Sequence, residues 1–262
     1  MMGGSAYENV GKKWDLGVEE QEWFHGLLPR VEAERLLIED GDFLIDDDNS
    51  ILEMVNQYCL SGRPWLDNSD IVLKNPIFRE KWLLQNDDII LDRKLGKGYF
   101  GDVNKGIYKP MGNAVAVKTC KETFTQEQTK TLLTEGRILK QYAHPNIVRL
   151  IGIAAQRQPV LIVMEFVEGG DLLNHLKKQQ KPFTSQQLIK MCDDIASGMA
   201  YLESKNCVHK ELAARNCLVG NGLVVKVSDF GLSRDKVVHT MSDKNKPIPW
   251  KWSAPEVLLN GK

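Results

Sequence analysis

Ala114-Val115-Ala116-Val117-Lys118 is the stretch on which the reading of this chain turns. Its period-2 alternation marks a strand and puts Ala114, Ala116 and Lys118 on one face. A lysine on a mostly apolar strand needs a partner or a ligand to offset the loss of water. The small Ala116 leaves room beside it for a planar ring. Upstream, Gly96-Lys97-Gly98-Tyr99-Phe100-Gly101-Asp102-Val103 sets three glycines between two strand-like runs spanning Ile89 to Val103. Such a loop lets backbone N–H groups reach a phosphate without side-chain obstruction, although alone it reads equally well as a plain hairpin. A strand rather than a helix follows the glycines, which argues against the dinucleotide-binding form of the motif. Downstream, Thr129 to Tyr142 has helical spacing, with Leu132, Leu139 and Tyr142 on one face. Glu135 lies on that face at i+3 from Leu132. A carboxylate on a buried helical face wants a cation. Lys118 and Glu135 therefore read as an ion pair that aims the lysine at the α- and β-phosphates of a nucleotide.

The chain has 262 residues, 42% of them hydrophobic and 26% charged, which suits one or two soluble domains with a core. A net charge of −1 gives no global basic field, so neither nucleic acid nor a membrane surface is an expected partner. No apolar run approaches the ~18 residues of a membrane span. Met1-Met2-Gly3-Gly4-Ser5 has neither the features of a secretory leader nor a myristoylation site. The five cysteines, Cys59, Cys120, Cys192, Cys207 and Cys217, are odd in number and show no metal-ligand spacing. They read as reduced, structural thiols of a cytoplasmic protein.

Beyond the lysine strand, Ile147 to Ala154 and Val160 to Phe166 read as strands. Leu188 to Leu202 carries Leu188, Met191, Cys192, Ile195, Ala196, Met199 and Leu202 at helical spacing. Leu218-Val219 and Val224 to Val227 are short strands around Gly220-Asn221-Gly222, a hairpin signal. Towards the N-terminus, residues 1–20 are polar. Trp23-Phe24-His25-Gly26 leads a helical pattern that breaks at Gly41-Asp42 before Phe43-Leu44-Ile45. Asn75-Pro76 and the Trp82 segment read as a linker.

Three further motifs name a family. His209-Lys210-Glu211-Leu212-Ala213-Ala214-Arg215-Asn216 resembles the catalytic loop of protein-tyrosine kinases, whose pattern is His-Arg-Asp-Leu-Ala-Ala-Arg-Asn. Asp229-Phe230-Gly231 matches that family's metal-binding triplet, and Ala254-Pro255-Glu256 matches its A-P-E element. Ala213-Ala214-Arg215 and Pro249-Trp250-Lys251-Trp252 resemble the tyrosine class. Val115 to Glu122, Ile138 to Tyr142, Ala155 to Val160 and Tyr201 to Cys207 are similar to the Fer/Fes subfamily of non-receptor kinases. The resemblance covers residues 21–45 and 75–262. It implies an α+β, bilobal protein-kinase-like fold, with a complete N-lobe sheet and αC helix and a truncated helical C-lobe, preceded by a partial Src-homology 2 remnant. The implied domains are 21–65 for the remnant, 66–86 for a linker and 87–262 for the kinase domain.

The resemblance also implies a binding site for ATP and magnesium. Leu95, Gly96, Gly98, Gly101 and Lys118 would hold the nucleotide, with Val103, Ala116 and Leu218 around the adenine. Met164 would be the gatekeeper, and Glu165 and Val167 the backbone hinge. Asn216 and Asp229 would hold the metal. Leu150, Leu139, Phe230 and His209 would form an apolar spine. Glu211, Lys118, Glu135 and Arg215 would be the catalytic set, and tyrosine-bearing proteins the substrates or partners.

Several residues depart from the family pattern. Glu211 stands where the family has its catalytic Asp; it keeps the charge but adds a methylene, so transfer is expected to be severely impaired. The alternatives left open are a weakly active kinase with Glu211 as base and a non-catalytic scaffold or competitor. Lys210 replaces the Arg that would grip a phosphorylated activation-loop tyrosine, and no Tyr follows Tyr201. Ser233, Thr240 and Ser242 read as solvated loop hydroxyls. Trp250 stands where the family has a smaller apolar residue, either obstructing the substrate platform or simply repacked. Asp46 replaces the phosphate-gripping Arg of a Src-homology 2 domain, so phosphotyrosine binding is not expected. The chain ends soon after Glu256, so the expectation is a lower lobe with exposed apolar surface and a Glu256 without its Arg partner.

Overall fold

The computed structural model describes residues 37, 42–43, 61, 72, 75–76, 79–97, 101–120, 133, 136–230, 234–235 and 249–260. Gly98 and Glu135 lie outside these residues, as do residues 1–20, most of the Src-homology 2-like segment including Asp46, Gly231, Ser233, Thr240 and Ser242.

Two short strands come first, β1 (Asp42–Phe43) and β2 (Asn75–Pro76), and they pair in parallel. The sequence marks Phe43 as extended and reads Asn75-Pro76 as linker; in the structure the dipeptide pairs with β1. A five-stranded sheet follows, from β3 (Ile89–Lys97), β4 (Gly101–Tyr108), β5 (Asn113–Cys120), β6 (Leu150–Ala154) and β7 (Leu161–Glu165). Its order is β3-β4-β5-β7-β6. β5 is central, and Val115, Ala116, Val117 and Lys118 are all buried. The alternation therefore sorts two faces that are both covered. β4 and β5 run antiparallel with Val103 opposite Lys118 and Lys105 opposite Ala116. Directly opposed residues share a face, so Val103 joins Ala116 and Lys118.

The chain divides into two compact units. One comprises the described residues up to Ile89 together with Ile153–Leu161. Within it, Leu83, Leu84, Ile153 and Val160 are buried. The Leu84 N–H donates to the Ile153 carbonyl at 2.8 Å, and the Ile153 N–H to that of Trp82 at 2.7 Å. The Gln156 side-chain amide donates to the Leu84 carbonyl at 2.7 Å.

The other unit comprises Ile90–Gly152 and Ile162–Lys262. Residues 136–140 are helical, inside the segment read as Thr129 to Tyr142. Then come α1 (Leu172–Lys178), α2 (Ser185–Ser204), β8 (Cys207–Val208), β9 (Cys217–Val219), β10 (Val225–Val227), β11 (Arg234–Asp235) and α3 (Pro255–Asn260). β9 pairs antiparallel with β10, as the hairpin signal requires, and β11 with β8. Leu139, Tyr142, Ile147, Leu202, Val227 and Phe230 close one apolar core.

α2 begins on a capping box that the sequence spells as Thr184-Ser185-Gln186-Gln187. The Gln187 N–H donates to the Thr184 hydroxyl at 3.2 Å, and the Thr184 N–H to the Gln187 carboxamide oxygen at 2.9 Å. Its buried stripe is Met191, Asp194, Gly198 and Leu202. Leu188 and Cys192, placed on the buried face by periodicity, are exposed. Two polar facts turn the helix. The Asp194 carboxylate accepts the Val225 N–H at 2.9 Å. A Cβ at Gly198 would meet the Asn146 carbonyl oxygen at 2.7 Å, so only a glycine allows this approach. Asp194→Ala is expected to leave the Val225 N–H without its acceptor and to cost about 1–3 kcal/mol. Urea unfolding of the two proteins measures this; a difference near zero would mean that water replaces the carboxylate.

Candidate active site

A cleft of ≈ 1410 Å³ opens in the second unit, under β3 to β5. Leu95, Gly96, Val103, Ala116 and Leu218 line it, and so do Met164, Glu165 and Val167 from the end of β7. Gly101 opens β4 but does not line the cleft. The strand pairing explains the apolar part. Val103 and Ala116 share the Lys118 face, and Leu218 comes from β9. Behind β7 the chain turns sharply. The Gly169 N–H donates to the Val219 carbonyl at 2.8 Å, and a Cβ there would meet that oxygen at 2.4 Å.

The segment after Met164 is fastened by a lysine that sequence reasoning did not select. Lys226 Nζ donates to both carboxylate oxygens of Glu165, at 2.8 and 3.0 Å. The same carboxylate accepts the Arg149 N–H at 2.8 Å. Lys226 stands between Val225 and Val227, both fully buried. That is the signal which singled out Lys118, a lone lysine in an alternating apolar strand. Lys226→Ala is expected to weaken nucleotide binding by about fivefold, since removing a charge-assisted pair of this kind costs about 1 kcal/mol or more. Calorimetric titration with Mg-ATP tests it, and an unchanged affinity would show that Glu165 holds its place through Arg149 alone.

The polar end of the cleft gathers Lys118, Glu211, Arg215, Asn216 and Asp229. Lys118 is buried, and its Nζ lies 3.4 Å from the Asp229 carboxylate. Asp229 has φ +65°, a left-handed conformation that Asp tolerates better than most residues. Next to it Phe230 is fully buried, with its ring 5.1 Å from that of His209 and 6.0 Å from that of Tyr142. Leu139 belongs to the same cluster, and Leu150 packs against it. The four residues read as a spine are thus brought together.

The loop from His209 to Asn216 is held by its own backbone. The Glu211 N–H donates to His209 Nδ1 at 3.3 Å, which leaves the ring proton on Nε2 to donate to the Ser228 carbonyl at 3.0 Å. Asn216 Nδ2 donates to the Glu211 carbonyl at 2.9 Å, and Ser228 donates to the Asn216 carbonyl from N–H and hydroxyl, at 2.8 and 2.9 Å. Glu211 is ion-paired with Arg215. Lys210 has φ +70°. Burial pushes the Cys217 thiol up to about 11, which keeps it protonated and inert.

Burial pushes the His209 imidazole below its ordinary value, against the opposing pull of the Ser228 carbonyl, Asp229 and Glu211. A histidine held neutral in the fold contributes stability that is fully present above its unfolded value, near 6.5. The unfolded chain takes up its proton first as pH falls, so that contribution shrinks below about pH 6.5. The expected result is a lower urea midpoint at pH 5.5 than at pH 7.5, with a smaller difference in His209→Asn. Equal pH dependence in both proteins would assign the effect elsewhere.

Residues 89–262 match the sequence profile of the family described as protein tyrosine and serine/threonine kinase. The chain belongs to that family. It is 42% identical to human tyrosine-protein kinase Fer, over its whole length and 36% of Fer. It is 40% identical to the tyrosine-protein kinase transforming protein Fps of avian sarcoma virus strain PRCII, over 93% of this chain and 52% of that protein. Tyrosine-protein kinase Abl of Drosophila melanogaster is 42% identical over 70% of this chain and 11% of its own length. The chain therefore spans about a third of the length of the Fer relative. Lys118, Glu211, Arg215, Asn216 and Asp229, which come from separate motifs of the sequence, line one cleft.

Among the described residues, no helix is long and apolar enough to cross a membrane. Leu188, Ile189, Leu212, Trp250, Leu258 and Leu259 are exposed large apolar side chains.

Proposed function

We propose that this chain binds Mg-ATP in the cleft and transfers the γ-phosphoryl group to protein tyrosine, slowly, with Glu211 as the base. The observation that carries this reading is the approach of Lys118 Nζ to Asp229 at 3.4 Å, with Asn216 and Glu211 lining the same space. Leu95, Val103, Ala116 and Leu218 give a planar base apolar surfaces, and the backbone from Met164 to Val167, at and just beyond the end of β7, offers groups for its hydrogen bonds. Lys118 offsets phosphate charge. Glu211 takes the proton of the acceptor hydroxyl as the new O–P bond forms and ADP leaves. Arg215 holds the Glu211 carboxylate.

The residues suit magnesium. Among the described residues no group of three or more His, Cys, Asp or Glu can cage a metal. Beside Lys118 the cleft offers the carboxylate of Asp229 and the amide oxygen of Asn216, whose nitrogen is engaged with the Glu211 carbonyl. Asp229 and Asn216 would hold magnesium together with the substrate's phosphates, and the ion would supply charge neutralisation there.

Titration of the chain with Mg-ATP in a thermal-unfolding assay tests the reading. Ligand at 100 times its Kd adds about 2.7 kcal/mol to stability, a rise of several degrees. The rise is expected to shrink when magnesium is withheld or in Asp229→Ala. No rise at millimolar Mg-ATP would sink the nucleotide reading. Binding without transfer to a tyrosine polymer would favour the non-catalytic reading.

A further inference from the structure

Arg215 makes two contacts at once. Its guanidinium carbon lies 4.2 Å from the centre of the Trp252 ring, and its Nη2 pairs with the Glu211 carboxylate. A guanidinium is planar, so its face can rest on an indole while its edge donates to a carboxylate. The backbone that carries the indole is held, while the side chain is 43% exposed. Trp252 closes the short turn Trp250–Trp252, and its backbone N–H donates to the Pro249 carbonyl at 2.8 Å. The Ser253 hydroxyl donates to the same carbonyl at 3.1 Å. Pro249 lines the cleft. Trp250, two residues earlier, is 65% exposed and carries Lys251 over its ring at 5.2 Å, so the two tryptophans do different things.

We propose that Trp252 is a positioning residue for Glu211, acting through Arg215. The proposal rests on the reading of Glu211 as the base. A glutamate has one more rotatable bond than an aspartate, and ordering it forfeits more side-chain freedom. Here the charged end of that longer side chain is tied to a guanidinium that is pinned in turn by an indole on another loop. The clamp restrains the freedom that the extra methylene introduces. Its worth therefore depends on the methylene being present.

The test uses the whole chain and two readouts. The first needs no activity. The Arg215 Nε–Hε resonance, assigned by its loss in Arg215→Lys, is expected to move in both Trp252→Ala and Glu211→Gln and to stay in Trp250→Ala. A resonance unmoved by Trp252→Ala overturns the clamp. The second is transfer from Mg-ATP to a tyrosine–glutamate copolymer. Trp252→Ala is expected to lower kcat by about tenfold with the KM for ATP unchanged, part of the ~100-fold that a 1 Å misplacement can cost. Trp252→Phe, which keeps an aromatic face, is expected to recover most of the rate. In a Glu211→Asp background the loss on Trp252→Ala is expected to shrink to about twofold, because the shorter side chain needs less restraint. Equal losses in the two backgrounds, or a Phe variant as slow as Ala, would overturn the positioning role. A chain that shows the resonance shifts but no transfer in either background overturns the kinase reading first, and the positioning role with it.

Discussion

Shortening Glu211 to aspartate is expected to raise phosphoryl transfer by about 100-fold. The expectation follows from reach. A base acts only within hydrogen-bond distance of the proton it takes, and a misplacement of ~1 Å can cost ~100-fold. Glu211 projects its carboxylate one methylene further than the aspartate of the family pattern, from a backbone fixed by two contacts and with its carboxylate engaged by a third. Those are the Glu211 N–H to His209 Nδ1, the Glu211 carbonyl to Asn216 Nδ2, and the Arg215 ion pair. With the main chain held at both sides, the extra length has to be absorbed at the carboxylate, where the chemistry is. The gain should appear in kcat, with the KM for ATP unchanged, because the proton is shared only in the transition state. Transfer to a tyrosine polymer, corrected by the Lys118→Ala protein, gives the measurement. An aspartate variant no faster than the parent would mean that reach does not limit the rate. The remaining departures, Lys210 in the same loop and Trp250 after it, would then be the stronger defects.

The parts of this site that were legible in the sequence are those where local pattern and chemistry coincide. Lys118 stood out because a charge in an alternating apolar strand is costly, and the fold buries it beside Asp229. The β9–β10 hairpin was legible because Gly222 takes φ +66°, a conformation for which glycine is the ready choice. What periodicity could not supply was the partner. Leu188 and Cys192 were assigned to the buried face of α2 because they are apolar. The face was set instead by Asp194, whose acceptor role exists only once Val225 arrives. Lys226 and Trp252 escaped for the same reason. Their counterparts, Glu165 and Arg215, are distant in sequence and meet them only through the fold. Ala114 shows the converse. It alternates correctly with Ala116 and Lys118, yet it is exposed near the start of β5.

Phe230→Ala is expected to destabilise the chain by about 3–5 kcal/mol, the usual range for emptying a fully buried phenylalanine site. The ring is fully buried in the cluster of Leu139, Tyr142, Ile147, Leu202 and Val227. His209 on one side is also buried and already committed through both ring nitrogens, so it has little freedom to collapse into the space. A polar neighbour that cannot move makes the cavity term large. The second consequence is functional. Asp229, the residue before Phe230, holds a left-handed backbone that a non-glycine residue keeps only where its surroundings impose it, at a cost of order 1–3 kcal/mol. The buried ring is the nearest such constraint. Once it is gone, Asp229 is free to relax to negative φ and carry its carboxylate away from Lys118. Urea unfolding measures the first effect, and the magnesium dependence of the ATP-induced thermal shift measures the second. Phe230→Leu separates them from a general failure to fold, since it keeps most of the buried volume and should recover most of the stability and the magnesium response together. A Phe230→Ala protein that loses 1 kcal/mol or less, or that keeps its full magnesium response, would show that Asp229 is held by something other than this core.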